Sequence, residues 1–223
     1  MNNTNNNNAI IDRKKNPDKN LSNLSVVDNS YHSNFNFSSH ANTKNNMSNT
    51  FFEDNKELGN LDEEAFKKGL SNWNREDWSW FTFVYKEGMT HSEHLQILSD
   101  SKDINKIGPG RVPSTMLYAF DEGVIVGRVS IRHELNDFLL LRGGHIGYAV
   151  NEIHRKKGYG KEILNGALEY CKNHLKLEKV LITCSEDNNA SVRMIENVSG
   201  KLENTLDDPE SGERVRRYWL ELV

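Results

Sequence analysis

Cysteine is close to absent. Cys171 and Cys184 are the only two in 223 residues. They form no CxxC pair and stand at no metal-ligand spacing, so neither a disulfide framework nor a metal site is encoded. Two free thiols suit a reducing, cytoplasmic setting. No run approaches the roughly 18 apolar residues of a membrane-spanning helix. No apolar stretch of about 7–15 residues follows the early basic positions, which excludes a secretory signal. Excess positive charge is missing too: 28 Lys and Arg face 32 Asp and Glu, with a net charge of −4 and a pI near 6.1. A general nucleic-acid binder needs a broad basic surface, and this chain has no surplus to build one.

The first quarter lacks what a core requires. Residues 1–50 contain no Gly and no Trp, about one in three is Asn, and no hydrophobic period is sustained. Too little apolar surface is available there to offset the entropy of ordering. The expectation is a disordered Asn-rich tail over residues 1–55 and a folded domain over 56–223.

Patterning begins after that. Leu61, Ala65, Phe66, Gly69 and Leu70 predict a helix over 61–72. An aromatic segment, 73–85, carries Trp78, Trp80, Phe81 and Phe83, and Leu95, Ile97 and Leu98 predict a second helix over 93–106. The stretch 108–113 reads as loop. Residues 116–120 and 124–132 flank the turn Asp121-Glu122-Gly123 and form a hairpin. Residues 145–150 make a further strand. Ile163, Leu164, Ala167, Leu168, Cys171 and Leu175 then fall at helical spacing, and 180–184 is a buried strand. Asn188 or Asn189 caps a helix carrying Ala190, Met194, Ile195 and Val198. Segments 201–205 and 214–222 close the chain as a hairpin. This order gives an α+β fold with a central β-α-β unit, not a doubly wound sheet.

The most informative run is Arg155-Lys156-Lys157-Gly158-Tyr159-Gly160, between the strand and the long helix. A helix N-terminus presents free N–H groups and the positive end of its dipole, a ready anion site. Gly158 and Gly160 let the backbone approach a phosphate. The same run could instead be a solvated basic turn. It is not a Walker loop, since Arg155 stands where the first glycine would be and Glu162 follows Lys161. It is not a dinucleotide fingerprint either, since Ile163 replaces the third glycine.

Three features together resemble the GNAT superfamily of acyl-CoA-dependent N-acyltransferases over residues 75–223. They are Arg155-x-x-Gly158-x-Gly160, Asp187-Asn188-Asn189-Ala190-Ser191 after a buried strand, and the ending Arg216-Arg217-Tyr218-Trp219-Leu220. Segments 131–136 and 143–147 also resemble a bacterial subgroup known mainly as predicted acetyltransferases. The resemblance implies a mixed, mainly antiparallel sheet with flanking helices. It further implies acetyl-CoA as co-substrate, held by the amides of Arg155, Lys156, Lys157, Gly158, Tyr159 and Gly160. By the same likeness Ala149 and Val150 pair with the pantetheine arm and supply an oxyanion donor, and Asn188 and Ser191 reach the thiol end. The family's usual acid, a Tyr, is replaced by Ile195, which leaves Tyr218, Tyr148 or a water as substitutes. Ser199 stands where a Gly is usual. His145, with its near-neutral titration, is the candidate base, and Glu134 the second. The implied reaction is direct transfer to a small-molecule or peptide amine, with no metal, nucleic acid or membrane involved. The subunit is expected as a monomer or a homodimer. The rival reading is a non-catalytic acyl-CoA-binding or regulatory module.

Overall fold

The computed structural model describes residues 52–73 and 84–222. The Asn-rich stretch up to residue 51 and most of the aromatic segment, 74–83, lie outside the described residues.

The chain begins its sheet earlier than expected. Strand β1 (Phe52–Lys56) pairs antiparallel with β2 (Ser114–Asp121), so residues 52–55 belong to the sheet and not to a tail. A buried-side anchor holds it, the Asn55 amide donating to the Ile163 carbonyl at 3.0 Å. Helix α1 (Glu63–Ser71) follows a single 3-10 turn. Helix α2 (His91–Asp100) starts two residues early because Thr90 and Glu93 form a reciprocal cap. It stops at Asp100, short of the predicted 106. The Asp103 carboxylate takes the Asn105 N–H and offers the backbone a turn in place of a helix.

β2 and β3 (Val124–Arg132) form the expected hairpin. Glu122 and Gly123 both have positive φ, 48° and 70°, as a two-residue turn between twisted strands requires. A short helix, α3 (Asp137–Leu141), lies where no periodicity announced one, since five residues are too few to show a period. Next come β4 (Ile146–Val150), α4 (Tyr159–Asn173), β5 (Lys179–Ser185), α5 (Asn189–Asn197), β6 (Lys201–Asp207) and β7 (Arg214–Glu221).

The strands form two antiparallel sheets, ordered β1-β2-β3-β4 and β5-β7-β6. Both faces of β2 are covered, which is why it reads as an unbroken buried run. Leu117 and Ala119 point into a core with Ile163, Leu164 and Ala167 of α4, Ile195 of α5 and Tyr218 of β7. Met116, Tyr118 and Phe120 point the other way, against Phe66, Leu70 and Trp73. Each of these large side chains contributes roughly 1.5–3 kcal/mol on leaving water. Helix α5 ends in a Schellman motif: Gly200 N–H reaches the Ile195 carbonyl, and Ser199 takes φ +69°.

Candidate active site

β4 and β5 are the inner edges of the two sheets, and they face each other without a ladder. They meet where β4 begins, and the Gly143 N–H donates to Thr183 Oγ1 of β5 at 2.7 Å. The His145 N–H donates to the Leu181 carbonyl at 2.7 Å, and the Leu181 N–H donates to His145 Nδ1 at 2.9 Å. Gly144 permits the approach, because a Cβ there would sit 2.4 Å from the Leu181 carbonyl oxygen.

Beyond that joint the ladder dictates what β4 offers. Asn151 N–H bonds to the Val126 carbonyl, and the register pairs Gly127 with Val150 and Arg128 with Ala149. Antiparallel strands alternate, so Ala149 spends its backbone groups on β3 while those of Tyr148 and Val150 face β5. The expected pairing surface is therefore Tyr148 and Val150; Ala149 is not part of it. An edge that turns the Tyr148 backbone groups and the Val150 N–H toward β5 suits an extended, amide-bearing chain, as in strand addition.

The glycine loop lies at the end of β4. Asn151 turns the chain there, its buried side chain accepting from Ile153 N–H and donating to the Asn72 carbonyl. The Arg155 N–H is taken by the Glu152 carbonyl and its Nε by the Val150 carbonyl. Arg155 therefore leaves the expected set of amide donors and shapes the loop instead. Lys156 and Gly158 adopt positive φ, 63° and 93°. Among the described residues, the N–H groups of Lys156, Lys157, Gly158 and Gly160 meet no protein acceptor. Free amides at the N-terminus of a fifteen-residue helix suit an anion. The space over Gly158 is open, so nothing of the protein fills it. Tyr159 is buried and anchors the helix start by donating its phenol to Asp121. These residues fit the pyrophosphate of acetyl-CoA, and the facing edges fit its pantetheine arm.

The proposed acid–base residues separate sharply. His145 is buried, its Nδ1 is an acceptor within the sheet joint, and burial, aided by Arg132, lowers its pKa to about 4. With Nδ1 occupied, the proton sits on Nε2, so this imidazole is a structural group and not a base. Glu134 is exposed beyond the end of β3. Tyr218 is fully buried, and its hydroxyl donates to Glu196 at 3.2 Å. Tyr148 is the tyrosine at the gap. Burial raises its pKa, and Ser191 of α5 and Cys184 of β5 are its polar neighbours. Asn188 accepts the Ser191 N–H at 3.1 Å and so serves as the cap of α5. Ile195 is core.

Neither thiol is ionised near neutrality. Burial raises Cys171 to about 12 and Cys184 to about 11. Among the described residues no cluster of His, Cys, Asp or Glu could hold a metal, and no helix is long and apolar enough to cross a membrane. Sequence reasoning missed Asp121, Asn151 and the ladder parity at Tyr148. Only the last left a signal, the alternation of residues 146–150.

Comparison with known proteins identifies the family. A sequence profile of the Acetyltransferase (GNAT) family matches residues 68–200. No curated protein matches by sequence. Among solved structures, a single-site variant of the spermidine N-acetyltransferase SpeG from Vibrio cholerae matches with a TM-score of 0.52. It is 19% identical, and the match covers 75% of this chain and 92% of that one. A GNAT-family acetyltransferase from Bacillus anthracis gives 0.50 at 17% identity, over 75% and 93%. The protein yncA from Salmonella typhimurium, solved with its cofactor acetyl-CoA, gives 0.40 at 15% identity. This chain spans 65% of that one, with 49% of its own residues. At such identities the first two speak for the fold alone, and the third is too distant to argue from. The profile, however, covers more than half of the chain, from the end of α1 through the glycine loop to α5. This chain belongs to the GNAT family of acetyltransferases, whose co-substrate is acetyl-CoA.

Proposed function

We propose that this protein transfers an acetyl group from acetyl-CoA directly to an amine, in a ternary complex without an acyl-enzyme. The observation that carries this reading is the pairing of two features on one strand: backbone groups of Tyr148 and Val150 turned toward β5, and the free amides of the glycine loop just beyond. The pyrophosphate rests on Lys156, Lys157, Gly158 and Gly160, and the pantetheine arm lies along β4. The N–H of Tyr148 or Val150 meets the thioester carbonyl and steadies the oxyanion formed when the amine attacks. The C–N bond forms, the C–S bond breaks, and the thiolate takes a proton. The Tyr148 phenol, kept protonated by burial, is the donor.

The un-ionised thiols of Cys171 and Cys184 support direct attack over a cysteine relay. Their free state suits a reducing, cytoplasmic setting. The amine loses its proton to solvent or to a water at the gap, because His145 is tied into the sheet joint.

Buried Ile195 in the seat of the usual acid favours a second reading, a non-catalytic acyl-CoA-binding module. Incubation with acetyl-CoA and amine mixtures separates the two. Release of CoA thiol with a matching acetylated amine, followed by mass spectrometry, is expected. Tight CoA binding with no thiol release would favour the module.

A further inference from the structure

The two glycines of the loop have different surroundings. At Gly158 the φ of +93° calls for glycine, and no atom of the described residues lies within 4 Å of where a Cβ would stand. Gly160 sits in the first turn of α4 with an ordinary helical backbone, so conformation does not call for glycine there. Alanine suits such a helical position better. What a Cβ at Gly160 would meet is protein: Met194 Sδ at 2.9 Å, Met194 Cε at 3.0 Å and Val150 Cγ2 at 3.6 Å. The seat over Gly160 thus belongs to the thioether of Met194, not to an anion.

Both neighbours of that thioether belong to the cofactor site. Gly160 carries one of the free amides of the loop, and Val150 turns its N–H toward β5. Ser191, one helical turn before Met194, is a polar neighbour of Tyr148, which stands two residues before Val150. Helix α5 therefore lies along β4, with Ser191 beside Tyr148 and Met194 beside Val150, and it walls the gap on that side. Met194 and Val150 are only partly buried, so the wall borders open space. The start of α4 is pinned on its other sides. Tyr159 donates its phenol to Asp121, and a Cβ on Gly127 would stand 2.7 Å from Ile163 Cδ1, so α4 rides close against β3. A side chain added at residue 160 would consequently displace the flexible Met194 and not the helix.

We infer that Met194 is a positioning residue for acetyl-CoA: its thioether closes the α5 side of the channel from the loop amides to the Val150 N–H, and residue 160 is glycine to admit it. Methionine suits the task, because it is unbranched, polarizable and able to follow the shape of an extended arm. The inference rests on the cofactor placement proposed above and adds what keeps the arm against β4.

The test is a size swap, read as the CoA affinity of the full chain by calorimetric titration. Gly160→Ala is expected to weaken CoA binding about 10-fold, and Met194→Ala by about the same factor as the wall opens. The double variant should bind within about 3-fold of Met194→Ala, because the added methyl enters a vacated seat. Met194→Leu, which keeps length and apolarity, should stay within about 3-fold of the wild type. In turnover the losses should fall on the acetyl-CoA KM and not on kcat, since Met194 offers no group to the chemistry. Wild-type CoA affinity in Met194→Ala would overturn the inference. So would a Gly160→Ala penalty that is absent, or one equally large with and without Met194, which would return Gly160 to the phosphate. Melting curves without ligand establish that each variant is folded; if Met194→Ala is not, Met194→Val carries the swap. A wild-type chain that binds no CoA would instead sink the cofactor placement, and the inference with it.

Discussion

The backbone N–H of Leu181 donates to Nδ1 of His145 while the N–H of His145 donates to the carbonyl of Leu181. One residue on each inner edge thus closes the two sheets together where β4 begins. Arg132 is the charged neighbour of the ring, and Trp219 stands edge-on to it at 6.4 Å.

That joint makes stability depend on acid. The His145 pKa falls from 6.5 to about 4 on folding, and His94, fully buried against Phe66 and Tyr85, falls likewise to about 4. The unfolded chain therefore binds more protons between these values. Stability is fully present above about pH 6.5 and drains as pH falls toward 4, by up to roughly 3 kcal/mol per group. Urea midpoints at pH 7 and pH 5 should differ accordingly. His145→Gln should flatten part of that slope and leave the pH dependence of turnover alone. An ascending rate limb lost with His145 would restore it as a base.

Tyr148→Phe should lower turnover by about 10²–10⁴ while acetyl-CoA affinity holds. Tyr218→Phe should cost stability first, because that hydroxyl is spent on Glu196 of α5. Stopped assays with saturating acetyl-CoA distinguish the pair. Full activity in Tyr148→Phe would pass the proton to water.

The glycine loop is testable by shape. Gly158 has room above it but a φ of +93°, so Gly158→Val strains the backbone by about 1–3 kcal/mol and fills the open cradle. The expected result is loss of the CoA-induced rise in melting temperature, with the fold retained. Normal CoA binding in that variant would show that the phosphate sits elsewhere.

Much of this was legible beforehand. The hairpin at Glu122–Gly123, the long helix and the closing hairpin lie close to where alternation and helical spacing placed them. β1 was lost because its polar sequence, Phe52-Glu-Asp-Asn-Lys56, looks like the Asn-rich stretch it adjoins. Beyond its pairing with β2, it is tied down by Asn55 reaching Ile163, a partner 108 positions away. His145 misled for a similar reason. Sequence shows a titratable ring beside a strand, but Leu181 decides whether its nitrogen is available. Tyr148 and Ala149 differ only in parity, which a ladder sets and composition does not.

Ser199 illustrates a local conflict that can be reversed. It holds φ +69° at the end of α5, a conformation unfavourable for a residue with a Cβ. Ser199→Gly should raise the unfolding free energy by about 0.5–1 kcal/mol, net of glycine's extra freedom when unfolded. Chemical denaturation of both forms checks it, and a destabilised variant would mean that the serine side chain contributes more than its strain.

Arg142 reaches Asp208, Ser211 and Glu213 of the β6–β7 turn at once. Arg142 and Asp208 are 66 positions apart, so this knot shuts a ring of chain holding the glycine loop, α4, β5 and α5. Such a ring closes late in folding, since its entropy cost precedes its contacts. It also resists acid differently from the His145 joint. Ser211 and Arg142 hold Asp208 down to about 2, so the knot stays charged after the imidazole has taken its proton. Acid should therefore part the two sheets at β4 and β5 while the drawstring at Arg142 still holds. Amide exchange near pH 4 would then rise at Leu181 before it rises at Asp208.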